Sequence, residues 1–60
     1  MNRKEIIAKL KELQEKRSRV VAEAEFFAYQ NNKKKAHELW REARELKKEI
    51  KKYKRDLDTL

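Results

Sequence analysis

The chain has 60 residues, with 18 Lys and Arg against 11 Asp and Glu, a formal net charge of +7, a single His, and no Cys, Gly or Pro. Without thiols there is no disulfide framework, and one imidazole cannot complete a structural zinc site. No stretch approaches the roughly 20 apolar residues of a membrane span, and the basic start Met1-Asn2-Arg3-Lys4 leads into no signal-peptide run, so a soluble, cytoplasmic protein is expected.

Charged residues are 48% of the chain, a level that favours disorder when charges segregate. Here they interleave with apolar residues at helical spacing, and no strong helix breaker is present. One all-α domain over residues 1–60 is expected. A chain this short buries only about 60% of its unfolded surface, so it depends on very good helix packing or on oligomerisation.

The first element runs over about 3–30. Ile6, Leu10, Leu13, Arg17, Val20, Ala24 and Phe27 recur at steps of four and three, the spacing of a coiled-coil seam. Arg17 is the polar member. Its guanidinium is expected to snorkel to the edge, where it penalises wrong registers.

That seam loses its phase near Asn31-Asn32. Continued unbroken, it would fall on Lys34 and Glu38, whereas the apolar residues resume at Ala36. On one straight helix, the step from Asn31 to Ala36 would swing the apolar stripe by roughly 140°, which no single partner helix could follow. Asn is a poor helix former that tolerates the left-handed conformation of turns and helix C-caps. A turn is therefore predicted here.

The second element runs over about 33–58, on a seam of Ala36, Leu39, Ala43, Leu46, Ile50, Tyr53, Leu57 and Leu60. Folded back antiparallel, with partner numbers summing to 63, Ile6 meets Leu57, Leu10 meets Tyr53, Leu13 meets Ile50, Arg17 meets Leu46, Val20 meets Ala43, Ala24 meets Leu39, and Phe27 meets Ala36. Several rungs match large with small, as an interdigitated core requires. The fold class is an antiparallel two-helix hairpin, coiled-coil-like. A competing arrangement keeps residues 33–60 as a parallel coiled coil, supported by Glu42 with Lys47 and Glu49 with Lys54.

One flank of the hairpin carries Ile7, Gln14, Val21 and Ala28 from the first helix and Trp40, Lys47 and Lys54 from the second. A lone hairpin leaves Ile7, Val21 and much of Trp40 in water, about 1.5 to 3 kcal/mol of unrealised burial for each large side chain. A homodimeric four-helix bundle with twofold symmetry is expected, joined through Ile7, Val21, Ala28 and Trp40.

From Val20 to Ala43 the chain resembles one hairpin of the tetratricopeptide-repeat family. Ala24 and Phe27 stand for that family's small residue and aromatic of the first helix, and Ala36, Trp40 and Ala43 for the Ala-aromatic-Ala spacing of the second. Glu23 stands where the family prefers Leu, and Lys48 where it prefers Pro. The resemblance implies a helical hairpin with its turn at Asn31-Asn32 and carries over no binding residue.

Charge is uneven. Residues 1–32 hold seven basic and five acidic side chains and residues 33–60 eleven and six, giving +2 and +5. Arg41, Arg44, Lys48, Lys51 and Arg55 form a stripe opposite the seam, and Lys33, Lys34 and Lys35 stand at the turn. These eight residues are the candidate phosphate contacts for RNA or DNA. Against that, Glu38, Glu42, Glu45, Glu49 and Asp56 share the helix and are expected to dilute its field. Phe26 and Tyr29 leave the seam near the turn, beside Lys33 and His37, where they either stack with a ligand or fold over the end of the bundle. His37 is alone, and neither Ser18 nor Thr59 has a His at nucleophile-pair spacing. No enzyme activity, cofactor, metal, membrane partner or small-molecule substrate is expected. The expectation is a small basic dimer that binds nucleic acid or acts as a regulatory accessory; the alternative is a protein-interaction or structural hairpin.

Overall fold

The computed structural model describes Met1 to Leu60. It consists of two helices, α1 (Arg3–Tyr29) and α2 (Lys33–Asp58), within a residue of the expected bounds. The molecule is 44 Å long and 14 × 12 Å in cross-section. At 1.5 Å rise per residue, a helix of the length of α1 accounts for about 40 Å by itself, so the two lie side by side.

Both helices begin on an asparagine. The Asn2 side chain accepts the Glu5 backbone N–H at 2.9 Å, and Glu5 adds a carboxylate to the first turn of α1, where it complements the helix dipole. The Asn32 side chain accepts the Lys35 N–H at 3.3 Å and so starts α2.

Its neighbour Asn31 ends α1. Asn31 is at φ 62, the one left-handed residue of the chain. The Asn31 N–H donates to the Ala28 carbonyl at 3.1 Å and the Asn32 N–H to the Phe27 carbonyl at 2.9 Å, the paired bonds of a Schellman cap. Two adjacent asparagines thus divide the turn: one closes a helix with its backbone, the next opens a helix with its side chain.

The core is the seam. Ile6, Leu10, Leu13, Val20 and Ala24 of α1 are buried with Ala36, Leu39, Ala43, Leu46 and Ile50 of α2; no polar residue is buried, and Val21, Phe27, Tyr53 and Leu57 pack around the rim. Because the seam of α2 is taken up against α1, the parallel pairing of residues 33–60 is not formed. The seam also stops earlier than expected. Leu60 is 69% exposed, since it lies past Thr59, the C-cap of α2, and the rung opposite it falls on Arg3.

Candidate functional site

Burial of Ala36, Leu39, Ala43, Leu46 and Ile50 fixes the rotation of α2, and that rotation sorts its charges. Over the arc of three neighbouring heptad positions of α2, from one flank to the outward side, lie nine cations: Lys33, Lys34, Arg41, Arg44, Lys47, Lys48, Lys51, Lys54 and Arg55. Asp58 is the one carboxylate among them. The opposite flank holds Glu38, Glu42, Glu45, Glu49 and Asp56 with only Lys35 and Lys52. The acids expected to dilute the stripe therefore occupy the positions next to its outward edge, where Glu45 reaches Lys48. The single ion pair, Lys48 to Glu45 at 3.5 Å, joins two well-exposed side chains and contributes little in high dielectric.

Seven of the eight candidate phosphate contacts share this arc, all exposed. Lys35 does not. Its ammonium stands 6.0 Å from the centre of the Phe27 ring, at the outer limit of a cation–π contact, and Phe26 meets the same ring edge-on at 5.5 Å. Lys33 and His37 line a groove on the other flank with Ala28, Ala36 and Trp40, while Phe26 and Tyr29 remain exposed and line no groove.

That groove is one of three, of about 220, 400 and 250 Å³, all on the flank between α1 and α2. The second is lined by Gln14, Arg17, Ser18, Lys47, Ile50 and Lys54, and the third by Arg17, Trp40, Ala43, Arg44 and Lys47. Shared residues make them continuous: Trp40 links the first to the third, Arg17 and Lys47 the third to the second. No Asp or Glu lines any of them.

Arg17 is half-buried and lines two of these grooves, so its snorkelling has a direction, toward the cationic flank. Its Nε atom is buried without a hydrogen-bond partner. The expected interface residues sit along the same flank: Ile7 is 49% exposed, Trp40 38%, Ala28 exposed and Val21 half-buried against the core. Ala28 and Trp40 border one groove. Ile7 and Val21 border none.

Elsewhere, Thr59 donates its hydroxyl to the Asp56 carbonyl at 2.8 Å, and Ser18 lines the second groove without a neighbouring His. No group of three or more His, Cys, Asp or Glu is placed to hold a metal ion. No helix is long and apolar enough to cross a membrane. Compared with protein-family models, with curated proteins and with solved structures, the chain matches none.

Proposed function

We propose that this protein binds the phosphate backbone of a nucleic acid, RNA or DNA, through the outward side of α2. Arg41, Lys48 and Arg55 form the crest, Arg44 and Lys51 the adjoining row, and Lys33 and Lys34 extend it to the turn. One observation carries the reading: nine cations share an arc of α2 with a single carboxylate. Residues seven apart stand about 10 Å from one another along the axis, so the row tracks an extended backbone. Each neutralised phosphate releases counterions, which makes the affinity electrostatic and salt-dependent. No element of the hairpin is arranged to read base edges, so the binding favours shape and charge over sequence. Its role is non-enzymatic, as an accessory or regulatory protein.

A mobility shift with a duplex oligonucleotide tests this. Complexes are expected at about 50 mM salt and lost steeply as salt rises; no shift at about 50 mM would remove the reading.

A second reading is favoured by the exposure of Ile7 and Trp40 on the grooved flank: a partner covers it. A second copy of the chain, joined by a twofold axis into a four-helix bundle, buries the same residues. It also sets Lys33, Lys47, Lys54 and Arg44 of one copy against a face of the same sign, with no carboxylate lining the grooves on either side.

A further inference from the structure

We infer that the grooved flank is the docking site of an acidic amphipathic helix, which lies along the hairpin as a third helix. The inference goes beyond phosphate binding by α2 and does not depend on it.

The shape comes first. Two antiparallel helices leave a furrow between them, and a third helix packs into such a furrow at about 8–10 Å from each axis. On the furrow's α1 side, Ile7, Gln14, Val21 and Ala28 occupy one row at seven-residue spacing, and Trp40 of α2 borders the same groove as Ala28. That is a heptad row apolar at three of its four positions, matching the seam of an incoming helix. A phosphate backbone would leave it unused.

The charge selects the occupant. Arg17, Lys47 and Lys54 line the second groove with Gln14 and Ser18. Arg17 has no carboxylate partner within the chain, and a carboxylate entering the groove that it lines supplies one. Charge-assisted bonds of this kind are stronger than neutral ones and fix register. A second copy brings cations to the same place. Complementarity therefore favours an occupant with an apolar seam flanked by Glu or Asp.

Trp40 is the chain's one tryptophan and borders two of the three grooves, so its fluorescence reports occupation. The probe is a synthetic helix of about three heptads with Leu on the seam and Glu on both flanks, beside a twin with Lys in place of every Glu. The Glu peptide is expected to shift Trp40 emission to shorter wavelength in a saturable titration, and the Lys peptide to bind at least about tenfold more weakly.

The double variant Lys47→Glu with Lys54→Glu is expected to reverse that order at unchanged helicity by circular dichroism. Lys48→Glu with Arg55→Glu changes net charge by the same amount outside the groove and is expected to leave the Glu-peptide titration intact while weakening oligonucleotide binding. That pair of variants separates failure of the docking site from failure of the phosphate stripe. Four results would overturn the inference: equal binding of both peptides, equal loss of Glu-peptide binding in both double variants, a concentration-dependent shift of Trp40 emission without peptide (a second copy in the groove), or displacement of the Glu peptide by the oligonucleotide from the Lys48→Glu/Arg55→Glu variant.

Discussion

Arg17 of α1 and Lys47 of α2 line the same two grooves, from opposite helices, with no carboxylate beside them. Arg17 occupies a seam position, where each neighbouring rung is apolar, and its buried Nε has no partner. An unsatisfied buried donor costs about 1–3 kcal/mol. Arg17→Leu removes that donor and completes the seam. We expect the substitution to stabilise the hairpin by about 1 kcal/mol, read as a higher urea midpoint at unchanged slope. The same variant should bind the Glu peptide more weakly, so stability and docking move in opposite directions.

At the turn, the left-handed φ of Asn31 disfavours a Cβ-bearing residue that lacks a local polar compensation. Asn31→Ala should destabilise by about 1 kcal/mol, whereas Asn31→Gly should be neutral or slightly stabilising, because glycine carries no steric penalty there. Thermal unfolding of the two variants beside the parent separates them. Equal losses would mean that the side chain of Asn31, rather than its backbone conformation, closes α1.

Asn32 acts through its side chain instead. Asn32→Ala removes the acceptor for the Lys35 N–H and should lower stability by about 1 kcal/mol, while Asn32→Ser or Asn32→Asp retains most of it. Denaturant titration of the three variants gives the ranking.

Ala24 is 0% exposed, in the same core cluster as Leu39. Ala24→Leu forces extra methyl groups into a filled position and should cost about 1–3 kcal/mol. Leu13→Ala empties a position and should cost about 2–5 kcal/mol. In a chain of this size the larger figure approaches the total stability, so circular dichroism of Leu13→Ala at ambient temperature should show substantial loss of helix.

Much of this fold is written in the sequence because burial in a two-helix hairpin follows one periodic line. The step in that line at Asn31-Asn32 located the turn, and the buried positions from Ile6 to Ile50 follow from it. Leu60 continues the pattern on paper but lies past the helix end, where spacing no longer predicts position. Phe26 and Tyr29 are close in sequence to Lys33 and His37, yet the chain reverses between them and only Lys33 and His37 line the first groove. For Arg17, a seam position implies an edgeward side chain without saying which edge; in the structure it lines the grooved flank. The charge division of α2 was also present in the sequence. Counting its charges along the helix hides it, and sorting them by rotation about the axis displays it.

The central functional claim is that the cationic arc of α2 binds phosphates. Fluorescence anisotropy of a labelled duplex across a salt series tests it most directly. With about five phosphates neutralised, the logarithm of the affinity should fall linearly against the logarithm of salt with a slope of about −4 to −5, and Lys48→Glu with Arg55→Glu should flatten that slope by about 2. Absence of binding at about 50 mM salt, or a slope that the double variant leaves unchanged, would contradict it.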